Sequence, residues 1–441
     1  MSEEACTKSE LEVFRPVDVL VSYTDGRWQS YQPLNSLNNA EVIEFVIPGT
    51  SNEVIDMNNI SLYIRAKIVT SASAALDDAE TLHPVDNTLQ SIIRHTELSI
   101  NGQLVTRTSR DGPYKDYMKR VLFHDMPAGS QSLFQNRLAG FYMDEAGLHD
   151  AAAATALAAG KAAKVRQGWI SESKWFEFRG TPQVDLFESD RVLIPGADMQ
   201  LKFYIHDPSF FLQRPKTAAD KFKLVFEAAE LNVRRIGLAD TFVNEINQKI
   251  KKQNAIYPFL RTESMSLTLP SGIMQYTKEN LSRGPMPVRV IIGLVDSTAY
   301  VGDYSKSPFN FQHCSVNEIA LFENGFPVAQ APLKIQWKAA HHQSINAYNL
   351  LLESIGAIGE RSLTPAVDYE RFKNGCSLYV FTRAPDLCHG EYHLPNQTGN
   401  LTLRINFATA LAKSFTAVVL LQFNSRIEIN EYKNLITDFA I

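Results

Sequence analysis

The side chains best suited to chemistry are Cys388, His389 and His393, gathered in the stretch Cys-His-Gly-Glu-Tyr-His. A thiol and two imidazoles are zinc-type ligands, but zinc takes three or four converging donors and the sequence offers no second pair at fixed spacing nearby. We read the cluster as structural or surface and expect no metal. His341 and His342 are adjacent, and neighbours on a strand point to opposite faces, so they do not chelate together. Carboxylates are plentiful but scattered; folding would have to bring two together, which keeps a glycosidase open as a minor reading. A Gly-rich phosphate loop, a Gly-x-Ser-x-Gly elbow and a His-Glu-x-x-His helix are all absent from the sequence. The expectation is a protein that is not an enzyme and carries no cofactor. Basic residues gather at Arg234-Arg235 and at Lys249, Lys251 and Lys252, where a solvated helix face is the plain reading and nucleic-acid contact the sharper one. Phe210, Phe211 and Trp169 read as core or subunit-contact residues, not as platforms for bases.

The elements that position these residues follow from bulk properties. A chain of 441 residues exceeds one ordinary core and suits two domains. With 45% hydrophobic and 21% charged residues it can bury enough apolar area to fold without disulfides. A net charge of −5 gives no global basic field and so argues against a dedicated DNA binder, whose affinity rests on one. Cys6, Cys314, Cys376 and Cys388 show no paired spacing and read as free thiols in a reducing compartment. The acidic start Met-Ser-Glu-Glu lacks the basic and apolar regions of an export signal, and apolar runs such as Phe415 to Leu421 are too short for a membrane-spanning helix.

Most of the sequence alternates with period two, the spacing of half-buried strands. Ile60, Leu62, Ile64, Ala66 and Ile68 share one face, and Ser61, Tyr63, Arg65 and Lys67 the other. Further strands are predicted at Glu41–Ile47, Val192–Ile205, Phe222–Ile236, Ser264–Leu269, Val288–Val295, Leu378–Phe381, Leu401–Phe407 and Phe415–Ile429. Asn101-Gly102 and Asn324-Gly325 read as tight hairpin turns, and Pro48-Gly49, Pro195-Gly196 and Pro270-Ser271-Gly272 as strand ends. The fold class is all-β, a sandwich or barrel.

Helical signals are few. Asp240 to Gln253 places Phe242, Ile246 and Ile250 four apart and reads as a linker helix, with Ile345 to Ile358 as a second helix. The alanine-rich Ala151–Val165 is read as helix or loop inside a long insertion from about 110 to 174. A weak repeat points to duplication. Glu97–Val105 is echoed by Ile319–Val328, Leu193 and Leu201 by Leu394 and Leu401, and Glu230–Ile236 by Gln422–Ile429. The expected organisation is a first domain at 1–238, a linker at 239–256 and a second domain of the same fold at 257–441.

The stretch Tyr257-Pro-Phe-Leu-Arg-Thr-Glu-Ser-Met-Ser-Leu-Thr-Leu-Pro-Ser-Gly, with Tyr276–Leu281, Pro287–Asp296 and Gly302-Asp-Tyr-Ser-Lys-Ser-Pro-Phe-Asn-Phe311, resembles the hexon-like capsid proteins of Polinton/Maverick elements and adintoviruses. Adomavirus capsid proteins are also similar. The resemblance is strongest over about Asn232 to Phe326 and covers the first domain only in outline. It implies a double jelly-roll major capsid protein: two tandem jelly-roll β-sandwiches with a few short helices, three chains forming a pseudo-hexameric capsomer of a double-stranded DNA virus. Implied partners are the chain itself as a homotrimer and lattice, penton and other minor capsid proteins, and weak contact with packaged DNA; an internal membrane is left unassigned. Implied localisation is the virion capsid, made in the host cytoplasm and assembled in the nucleus. The motif residues Asp296, Gly302, Asp303, Tyr304, Pro308, Phe309, Asn310 and Phe311 would form a loop near the domain contact, with Asp303, Tyr304 and Asn310 fixing backbone groups and Pro308 and Phe309 packing. The long insertion would form outward loops or reach neighbouring subunits. A carbohydrate-binding or host-attachment β-sandwich is the alternative, which would need an exposed aromatic platform.

Overall fold

The computed structural model describes residues 20–439 apart from 78–80, 108–110, 126–129, 151–159, 216–220, 283, 329–331, 338–343, 359–362, 385–394 and 396. Cys388–His393, His341–His342, Ala151–Ala154 and Cys6 therefore lie outside the described residues.

The early strands are β1 (Tyr23–Tyr31), β2 (Val42–Ile47), β3 (Glu53–Thr70), β4 (Ile93–Ile100), β5 (Gln103–Arg107), β6 (Phe176–Gly180), β7 (Met199–Ile205) and β8 (Phe222–Leu238). They pair in the orders β1-β8-β3-β6 and β2-β7-β4-β5, and every pairing is antiparallel. The later strands are β9 (Ala255–Leu269), β10 (Gln275–Lys278), β11 (Arg289–Asp296), β12 (Val316–Glu323), β13 (Phe326–Pro327), β14 (Leu378–Thr382), β15 (Leu401–Phe407) and β16 (Phe415–Ile429). Their orders are β9-β16-β11-β14 and β10-β15-β12-β13, so the second pair of sheets repeats the four-strand path of the first, and each adds a short fifth strand, Leu435–Thr437 on β16 and Leu333–Lys334 on β12. Two antiparallel sheets crossed in this way are a jelly-roll.

The hairpin and final-strand echoes in the sequence fall on equivalent strands, whereas Leu394 lies outside the described residues. Asn101-Gly102 joins β4 to β5, and Asn324-Gly325 joins β12 to β13, with φ of 50° and 74° in the first turn and 50° and 88° in the second. Positive φ at both central residues is what a two-residue hairpin of type I′ demands. Glu230–Ile236 lies in β8 and Gln422–Ile429 in β16.

Burial explains the patterns. On β3, Ile60, Leu62, Ile64, Ala66 and Ile68 are buried while Ser61, Tyr63, Arg65 and Lys67 are half-buried. All of β11 is buried, because its sheet is covered on both faces, and between Arg289 and Asp296 its sequence accordingly reads Val-Ile-Ile-Gly-Leu-Val with no polar alternation.

Several boundaries differ from those expected. The strand read from Val192 begins at Met199, because Pro195-Gly196 turns the chain with Gly196 at φ 71°. The strand read from Ser264 begins at Ala255, inside the stretch assigned to the linker. Pro258 lies within it, which an edge strand pairing along one side tolerates. β1 was not foreseen: its residues are polar or exposed and show no alternation.

The connection from β5 to β6 carries α1 (Gly112–Phe123), α2 (Gln131–Leu138) and α3 (Lys161–Ile170), and α4 (Asp240–Ile250) joins the two halves. On α4, Val243 and Ile246 pack on Val54, Ile236 and Leu238. The equivalent connection from β13 to β14 also carries a helix, α5 (Ile345–Ile355), which stops at Gly356 in the left-handed region. Buried side chains of both halves belong to one continuous apolar cluster.

Candidate assembly site at the junction of the two sandwiches

α1 lies between the halves. Pro113 at its start has the fixed φ a first helical turn needs, and Tyr114, Tyr117, Met118, Val121 and Leu122 are all buried at helical spacing. The insertion was expected to point outward or reach other subunits; α1 instead completes the core of its own chain.

The motif residues meet this helix. The Phe309 ring stacks on Tyr117 at 4.2 Å and 3° and meets Tyr114 edge-on at 5.8 Å. Phe311 lies 6.3 Å from Tyr114 and 6.1 Å from Tyr117. Its N–H donates to Gly375 O at 2.8 Å. A Cβ on Gly293 of β11 would sit 2.5 Å from the Phe311 ring and 2.8 Å from Met118 Cε, so only glycine allows this approach. Gly302, at φ 118°, lies against Ser209 and Phe210 of the first half. Tyr304 O accepts from Arg214 N at 2.7 Å, and its ring meets Phe222 edge-on at 5.6 Å. Asp303 Oδ1 accepts from Ser305 N and Oγ at 2.8 and 2.7 Å, closing its own turn. Pro308 is buried. Asn310 joins through its backbone N–H to Ser307 O at 3.3 Å. Asp296 caps the helical turn Ser297–Val301 by accepting from Thr298 N at 2.9 Å. Burial would raise its carboxyl, but the ammonium groups of Lys306 at 2.8 Å and Lys413 at 2.5 Å hold it well below the usual carboxylate range.

Polar groups fix the orientation of the halves. Asp185, buried in the first, accepts from Lys115 Nζ at 2.7 Å, Lys119 Nζ at 3.2 Å and the backbone N of Thr262 in β9 at 2.7 Å. Burial opposes its charge, yet the two lysines keep its pKa low. Asp111 Oδ1 accepts from Tyr300 Oη at 2.6 Å. Ala366 N donates to Val121 O at 3.0 Å and Thr364 N to Asp125 Oδ1 at 2.8 Å. At the far end, Asn101 Nδ2 of the first hairpin turn donates to Lys433 O at 2.7 Å. Sequence reasoning missed α1, Asp185 and Lys115, although the run Tyr114, Tyr117, Met118, Val121, Leu122 after a proline was a readable helix signal.

The other candidates are dispersed. Arg235 is not on a solvated helix face: it is a buried strand residue whose guanidinium donates to Tyr31 Oη at 2.7 Å and Thr50 Oγ1 at 3.0 Å. Lys249 pairs with Glu245 at 2.5 Å on α4. Phe210 and Phe211 are buried, and Trp169 packs edge-on against Tyr142 and Phe178. Cys314 and Cys376 are free, and burial pushes both thiols up to about 12. Among the described residues no group of three or more His, Cys, Asp or Glu side chains is placed to hold a metal.

No protein-family profile matches the sequence. An uncharacterized protein of Caenorhabditis elegans is 23% identical over 435 residues, covering 95% of this chain and 98% of that one. Among solved structures, a chain of the Sputnik virophage is similar with a TM-score of 0.62 at 10% identity, covering 100% of this chain and 94% of that one. A chain of the PBCV-1 virus capsid gives 0.57 at 11% identity, covering 97% and 100%. The mavirus major capsid protein gives 0.53 at 13% identity, covering 100% and 96%. The chain has the double jelly-roll fold of these capsid proteins along its whole length.

Proposed function

We propose that this chain is a major capsid protein whose homotrimers tile the icosahedral shell of a double-stranded DNA virus. The observation that carries the reading is duplication: one chain holds two sandwiches that share the same eight-strand path and are fused through a common core. Three such chains around one axis present six similar lobes, which is the shape a hexagonal lattice requires. Full-length likeness to capsid proteins of a virophage and a large virus supports it.

In this reading the chain works as a building block of the virion, not as an enzyme, and its two lobes are residues 1–238 and the half that starts with β9 at Ala255, with α4 between them. The motif from Asp296 to Phe311 seats one lobe on the other. Subunit contacts, penton and minor capsid proteins are its partners, packaged DNA a weak one, and synthesis in the cytoplasm precedes assembly in the nucleus. A Polinton or adintovirus origin accords with a full-length relative in an animal beside structural likeness to viruses. Multi-angle light scattering on purified full-length protein tests the core of this: the expected mass is three times that of the chain, and a monomer at every concentration overturns it.

A further inference from the structure

A cleft of about 440 Å³ opens beside α1, bordered by Trp28 of β1, Asn58 and Asn59 of β3, Gln135 and Leu138 of α2, and Arg179 and Gln183. Its volume lies in the range of small-molecule sites. Most charges in it are answered within the chain, since Lys115 and Lys119 bind Asp185, Lys119 also binds Glu188, and Arg120 binds Asp116. The groups that remain have a different character. Trp28 is 55% exposed. Gln183 is buried, and neither polar atom of its amide has a partner among the described residues. Arg179 is engaged through Nε, to Ser61 Oγ at 3.0 Å.

We propose that this cleft is a saccharide-binding site, an activity beyond shell building. A pyranose has an apolar C–H face that suits an exposed indole, and hydroxyls that both donate and accept, which is what side-chain amides offer in return. An unanswered buried amide is costly, and a polar ligand relieves that cost. A nucleotide fits poorly because the lysines and Arg120 are already neutralised. Arg179 extends the range to sugars bearing one carboxylate.

The test takes the full-length protein in its solution oligomer to a glycan array of neutral and sialylated sugars, followed by calorimetry with the soluble form of the best binder. The expected result is saturable binding that weakens at least tenfold in Trp28→Ala and in Arg179→Gln and is retained in Trp28→Tyr, with oligomer mass unchanged in all three. No glycan bound by the natural sequence, or Trp28→Ala and Arg179→Gln binding as tightly as the natural protein, overturns the site. The oligomer mass is read separately, so a trimer that binds no sugar ends this inference and leaves the capsid reading standing.

Discussion

Phe309 is the side chain on which the two sandwiches are joined. It is 1% exposed and packed face to face on Tyr117 of the other half. Truncating it to alanine removes an aromatic from a core that cannot fully collapse, so Phe309→Ala is expected to cost about 3–5 kcal/mol and to lower the denaturant midpoint in urea unfolding. Buried histidines set the acid limit. Burial, then Arg166, pulls His83 down to about 4, and burial, then Arg120, does the same for His124. The unfolded chain takes up protons at these imidazoles near pH 6.5, the folded chain only near 4, so stability is full above 6.5 and is lost as pH falls toward 4. Asp86 opposes this. Burial pushes it up to about 7, so its ionisation costs stability at higher pH and that cost fades on acidification. His149 and His313 are held low by burial as well, and Asp111 is held high, so four imidazoles outweigh two carboxyls; urea midpoints should fall from pH 6.5 to 4.5, less steeply in His124→Gln, and a slope unchanged by that substitution would count against the assignment.

Elements show what the sequence could and could not reveal. Leu401–Phe407 and Phe415–Ile429 were legible to the residue, because alternation or continuous apolarity reports burial on one face or two. β1 was illegible because exposed residues carry no periodicity, and β9 was shortened because Pro258 argues against a strand until its place at an edge is known. The motif at Gly302–Phe311 could be picked out, but not its partners: Tyr117 and Phe309 are far apart in the chain and only the fold brings them together. α1 makes the halves interdependent, since β11 and the Phe309 loop pack on it. Residues 255–441 expressed alone should therefore be aggregated or lack a near-ultraviolet circular dichroism signal, and co-expression with 1–254 should restore both solubility and signal. A well-folded isolated fragment would show that α1 is dispensable to the second core.

The whole molecule is a repeated strand order stated twice and locked by one junction. For the proposed tile such locking would matter, because lobes that swing freely cannot present fixed edges to neighbours on a lattice. Asp185 illustrates the device: it ties two lysines of the first half to the β9 backbone of the second, and a shift of one half on the other would leave a buried charge without its partners. The central claim is that three of these double sandwiches make one six-lobed block. Negative-stain electron microscopy of the purified full-length protein tests it most directly. The account predicts particles with three-fold symmetry and a near-hexagonal outline, some joined into sheets or shells; a field of single two-lobed chains, with no three-fold class average, would contradict it.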